Sequence, residues 1–178
     1  RNFRETFSGM PVNTPPPPLP QKALNSPDGR ALQKKTDDLC KLQEPDGWFV
    51  LPSGERIPLF AALLRNRSAF YKTILSDTTG WKETEEFATS KTLPPPDTLS
   101  TEPFIAGILY LYTGNFAPWQ ARYSIEAAQF LGCPSLEKMC LSALARNLGD
   151  STLEMCRNLS GISLALGQVV AAYEARKK

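Results

Sequence analysis

The side chains in this chain that could do covalent or acid–base chemistry are serines, carboxylates, lysines and four cysteines; histidine is absent. That absence excludes Ser-His and Cys-His nucleophilic pairs, histidine metal ligation and the commonest general base. Cys40, Cys133, Cys140 and Cys156 form no CxxC pair, so zinc-type and thioredoxin-type spacings are missing. Cys140 falls on an apolar helical face, where a thiol packs as a small hydrophobe. A redox sensor would need a cation placed to lower its pKa, and no basic residue is obviously so placed. No serine stands in a GxSxG elbow, no two acids form a paired-acid pattern, and neither GxxxxGK[ST] nor GxGxxG occurs. The expectation is a protein that is not an enzyme and that holds no cofactor and no metal. Free thiols also suit a reducing, intracellular compartment, cytoplasmic or nuclear.

The elements that would carry any function must come from 178 residues, enough for one domain with a sizeable core and some additions. Hydrophobic residues make up 42% and charged residues 21%, a globular balance. A formal net charge of +2 with no basic stripe argues against nucleic acid as a partner, and the terminal ARKK reads as a helix end. No apolar run approaches the roughly 20 residues of a membrane span, so no membrane role is expected. The opening RNFRETFSGM has no initiator methionine and no signal-peptide core, which reads as a piece of a longer protein.

Residues 1–29 include PVNTPPPPLPQKALNSPDGR, too rich in proline and polar residues to build a core; an extended, disordered tail is expected. Within it Pro17, Pro20 and Lys22 fit a PxxPx-basic pattern, read either as a ligand for an SH3-type domain or as a spacer. From Arg30, RALQKKTDDLCKL places Leu32, Leu39 and Leu42 on a narrow helical stripe. WFVL and GERIPL, joined by Pro52-Ser53-Gly54, predict a hairpin, and Pro58 near its end is tolerable on an edge. LFAALLRN and SAFYKTIL predict two helices, the second capped by Ser68. SDTTGWKETEEFATSK has no clear period and reads as a surface loop anchored by Trp81. Thr92-Leu93 is at best a short edge strand stopped by prolines.

Next, Ser100 or Thr101 caps a helix whose first turn holds Pro103. Phe104, Ile108 and Leu111 occupy one face, and Ile105, Leu109 and Tyr112 another. A helix apolar nearly all round must be buried on most sides, and Gly114 is its natural stop. WQARYSIEAAQFL, then SLEKMCLSALARNL with Leu136, Met139, Cys140, Ala143 and Leu144 inward, form a helix pair. Ser151 to Glu154 matches a capping box for STLEMCRNL, and ISLALGQVVAAYEARKK closes the chain with Leu166, Val169, Val170 and Tyr173 together. The fold class read from this order is α+β, mostly helical with a small sheet.

Taken in order, WFVLPSGERIPL, AALLRNRSAFYKTIL, GWKETEE, TLPPPDTLSTEPFIAGILYLYTGNF and AAQFLGCPSLEKMCLSAL resemble the BTB/POZ domain family. The likeness spans about Trp48 to Leu148, with ALQKKTDDLCKL matching the helix that often precedes the domain. Two features depart from the family: Phe60 stands where a histidine is common, and Asp46-Gly47-Trp48 replaces an Asp-Val strand entry. The resemblance implies residues 1–29 as a Pro-rich tail, 30–148 as the BTB/POZ-like domain, and 149–178 as a helical extension like the start of a BACK-like region. It also implies a protein–protein interaction module that homodimerises through its first helix, here Leu32 and Leu39. Many members recruit a cullin scaffold as ubiquitin-ligase adaptors. By position Phe104 and Tyr112 would then lie on the cullin-binding surface, with Ala106 where a hydrophobic-x-Glu motif has its glutamate. Alternatives stand beside each assignment: Phe104, Tyr110 and Tyr112 as plain core, and Leu32 and Leu39 docked on their own domain. A further alternative is a BTB-type scaffold or transcriptional-regulator module that binds peptides without a ligase role, a reading that Ala106 favours.

Overall fold

A computed structural model of the chain describes residues 22–76 and 80–177. Its centre is a small sheet made by β1 (Gly47–Val50) and β2 (Arg56–Leu59), antiparallel, with β3 (Thr92–Leu93) parallel on the other side of β1. The Pro52-Ser53-Gly54 turn joins the first two strands, and Gly54 takes φ +83° there, a value that favours glycine. Phe49 pairs with Ile57, and Gly47 with Leu59, so the period of two turns Phe49, Ile57 and Leu59 to one face, where all three are buried. Trp48 sits opposite Pro58 but donates its N–H to Lys91 O at 2.8 Å, on the β3 side. Proline's missing donor therefore removes no ladder bond.

Helices cover that face. α1 (Pro27–Cys40) is capped by Ser26, whose hydroxyl accepts from the Gly29 N–H at 3.0 Å. Residues 22–29, expected to belong to the tail, are part of the folded body. A 3₁₀ turn at Ala23–Asn25 sinks Leu24 into the core, and the Glu55 carboxylate accepts from the Ala23 and Leu24 N–H groups at 2.9 and 3.4 Å. Gly29 allows this closeness, since a Cβ there would stand 2.5 Å from Leu24 Cα. α1 ends at Cys40, which leaves Leu42 beyond it and 83% exposed instead of on the stripe.

α2 (Ala61–Arg67) and α3 (Ala69–Ile74) follow the hairpin. Ser68 accepts from the Tyr71 N–H at 3.1 Å and donates to Leu131 O at 2.6 Å, tying the start of α3 to a distant segment. The stretch expected to be a loop holds instead the helix α4 (Lys82–Ser90). Its lysine and glutamates favour helix, with a Lys82–Glu86 pair at 3.4 Å, and its half-buried Phe87 packs on the core. A single apolar anchor makes no period, which is why the sequence hid it. Trp81 does not anchor this segment; it is 49% exposed.

α5 (Thr101–Thr113) runs through the interior and stops at Gly114, which takes φ +70° and donates to Tyr110 O at 2.7 Å. After a 3₁₀ turn (Pro118–Gln120) come α6 (Ala121–Phe130), α7 (Pro134–Arg146), α8 (Asp150–Ser160) and α9 (Leu164–Ala175). α5 packs on α1, α2 and α6, α6 on α7, and the α8–α9 hairpin rests on α7 through α9. The α8 cap is made by Thr152 and not by Ser151 and Glu154: its hydroxyl accepts from the Gly149 N–H at 2.9 Å and donates to Asn147 O at 2.6 Å. The architecture is α+β, mostly helical with one three-stranded sheet among the described residues.

Candidate protein-interaction surface

The residues that the family resemblance set on a partner surface lie inside the molecule. Phe104 has no exposed surface and meets the Phe49 ring edge-on, with centroids 5.2 Å apart. Ala106 and Tyr112 are 4% and 3% exposed. The Tyr112 hydroxyl donates to Pro58 O at 2.7 Å and accepts from the Phe60 N–H at 3.1 Å, while its ring packs edge-on against Phe60. Those bonds fasten the last turn of α5 to the β2–α2 junction, and burial raises the phenol pKa well above its ordinary value. Tyr110, also buried, donates to the Ser135 hydroxyl at 3.0 Å. The cause is general to α5: apolar side chains on all sides leave none for water, and neighbours enclose them. Gly107 allows α6 to approach, because a Cβ there would come within 2.9 Å of both Ala127 Cβ and Leu131 Cδ1.

The first helix shows the same inward turn. Leu32 is fully buried within its own chain, and Leu39 is half-buried against the same core. Leu32 is thus not available to a second copy in this arrangement. α1 is further held by Asp28, whose carboxylate accepts from the Gln120 amide, and burial raises the Asp28 pKa. The PxxP residues Pro17 and Pro20 lie outside the described residues; Lys22, at the edge of them, is exposed.

What remains accessible near the end of α5 is a groove of about 670 Å³ between the segment after Gly114 and the outer side of α7. Phe116, Pro118, Met139 and Ala143 give it apolar walls, and Lys138 and Arg146 add two cations. Met139, expected inward with Leu136 and Cys140, is 40% exposed here, because α7 turns its Leu136, Cys140 and Leu144 face to the core instead. Neither Lys138 nor Arg146 forms an ion pair among the described residues. Sequence reasoning passed over Phe116 and Pro118, whose only signal is an aromatic and a proline directly after a helix stop.

Cys140, on the opposite side of α7, is fully buried, and burial, aided by Cys133 and Glu137, pushes its thiol up to about 12. Such a thiol stays protonated and inert at neutral pH. Among the described residues no helix is long and apolar enough to cross a membrane. Comparison with models of known families and with curated proteins finds no match for this chain.

Proposed function

We propose that the chain is a non-enzymatic protein–protein interaction module of BTB/POZ type, which docks a partner in the groove on the outer side of α7. The observation that carries this reading is an open apolar trough with two cations that form no ion pair among the described residues, a chemistry suited to a partner segment that alternates apolar and acidic residues. The element order supports it too: a leading helix, a hairpin, a helix pair, a short parallel strand, an apolar helix and a further helix pair stand in the sequence order of the resemblance.

A cullin scaffold is the partner class this reading favours, with the chain acting as a ubiquitin-ligase adaptor inside the cell. The contact would rest on Phe116 and Met139 rather than on Phe104, Ala106 or Tyr112. Titration with a purified cullin N-terminal region should give saturable binding that Met139→Glu weakens by about tenfold or more. Saturable binding unchanged by Met139→Glu would remove the groove from the proposal. No binding, with the fold intact, would leave the scaffold or transcriptional-regulator reading, which Ala106 favours. Homodimerisation belongs to the same proposal, and light scattering at micromolar concentration should give about twice the 19.7 kDa chain mass. Since Leu32 is enclosed, a two-fold contact through α1 would use that helix's outward side. An SH3-type ligand role for Pro17, Pro20 and Lys22 stays a proposal, tested by removing residues 1–21.

A further inference from the structure

A second groove lies on a different part of the molecule, between α3, α4 and the Pro94-Pro95-Pro96 segment that leads into α5, with a volume of about 480 Å³. Its walls are aromatic. Phe70 and Phe130 meet edge-on with centroids 5.1 Å apart, and Phe70 meets Tyr71 in the same way at 5.2 Å. Trp81, half exposed, also lines it, as do the carboxylates of Glu83, Glu86 and Asp97. The one cation among its lining residues, Lys82, is paired with Glu86 at 3.4 Å.

We propose that this groove binds an arginine-bearing, partly apolar segment of another protein. With Glu86 and Lys82 offsetting each other, the carboxylates of Glu83 and Asp97 leave the groove net negative, which selects a positive occupant and repels an acidic one. The aromatic walls narrow the choice further. A guanidinium is planar and weakly hydrated, so it lies on an aromatic face while its N–H groups reach carboxylates; an ammonium does this less well. An exposed tryptophan at a proline-lined trough is also the kind of anchor that desolvates on binding. The α7 groove has the opposite charge, so the two surfaces would select different segments. This inference does not depend on the α7 groove being occupied.

The test is a titration of the isotope-labelled 178-residue chain, followed by amide NMR, with the peptide acetyl-Pro-Leu-Arg-Arg-Leu-Pro-amide. Amide shifts should cluster at Phe70, Trp81 and Phe130 and saturate below about 1 mM peptide. Replacing both arginines by citrulline, which keeps the shape and removes the charge, should weaken binding about tenfold, as should the Glu83→Gln/Glu86→Gln double variant. Glu83 lies half-buried in the first turn of α4 and Glu86 pairs with Lys82, so that variant should unfold at a slightly lower temperature while keeping the dispersed amide spectrum of the folded chain. Met139→Glu should leave this binding unchanged. The proposal fails if no shifts cluster at the groove by about 1 mM, if the citrulline peptide or its glutamate counterpart binds equally well, or if the shifts gather around Met139.

Discussion

α5 and α9 are built from much the same kind of side chain, FIAGILYLY in one and LALGQVVAA in the other, over 13 and 12 residues. Their surroundings differ. In α5, Phe104, Ile105, Ile108, Leu111 and Tyr112 are all buried, because α1, α2 and α6 close on it from different sides. In α9, among the described residues, Leu166 and Val170 are the buried ones and Leu164 is 81% exposed, because α9 packs mainly on α8 and, less closely, on α7. Equal greasiness thus marks two helices that want burial, and neighbours decide how much each obtains. The difference also separates core from surface energetics. Truncating a side chain in α5 removes contacts on every side, whereas the same loss on the outer side of α9 removes almost none.

The sharpest way to break that comparison is Phe104→Ala, expected to cost about 3–5 kcal/mol because it empties a fully buried ring site against Phe49; urea unfolding reads it, and a loss below about 1 kcal/mol would mean that α5 is not enclosed. Gly107→Ala should cost about 1–3 kcal/mol by overpacking the α5–α6 contact. An unchanged urea midpoint for that variant would show the two helices standing further apart. Tyr112→Phe keeps the ring but leaves the Phe60 N–H and Pro58 O without their partner, and a loss of about 1–2 kcal/mol is expected at neutral pH.

A weaker effect appears only in alkali. The Cys140 thiol is raised from an ordinary 9.0 to about 12 in the folded chain, so the fold retains a proton that the unfolded chain releases. That contribution is complete below about pH 9 and is lost as pH climbs toward 12; Tyr71 and Tyr112, also raised, add the same sign above pH 10. Urea midpoints at several pH values should therefore fall above about pH 9, less steeply in Cys140→Ala. The smallest effect belongs to α9: Leu164→Ser should change stability by less than about 0.5 kcal/mol, and a larger loss would mean that the outer side of α9 is covered in solution.

Much of the fold was legible before any coordinates. The hairpin announced itself by two short apolar runs around Pro-Ser-Gly, α5 by its apolar faces and Gly114, and α7 by the spacing of Leu136, Cys140 and Leu144. What escaped were elements held by one long-range contact. α4 depends on Phe87, and the turn at Ala23–Asn25 depends on Leu24 and the Glu55 carboxylate, 31 residues away from Leu24. A period needs several residues, and a single anchor leaves none to read. The interaction surface was less legible still. The resemblance sets Phe104, Ala106 and Tyr112 on a partner surface, with plain core as the alternative for Phe104 and Tyr112, and all three are buried. Of the groove residues, Met139 shares the helical spacing of the inward face of α7 yet is 40% exposed, and Phe116 carries no distinguishing pattern.

By itself the amino-acid order determined which stretches must leave water, where helices start and stop, and which chemistry the missing histidine removes; these are local properties, set by residue type and spacing along a few turns. Only the tertiary structure decided which apolar residues are enclosed and which stay open, since burial depends on partners brought from far along the chain. Tyr112 shows the division. Its aromatic ring and helical position were visible at once, but its inward hydroxyl, bound across more than fifty residues to Pro58 and Phe60, existed only once the β2–α2 junction had been folded against α5.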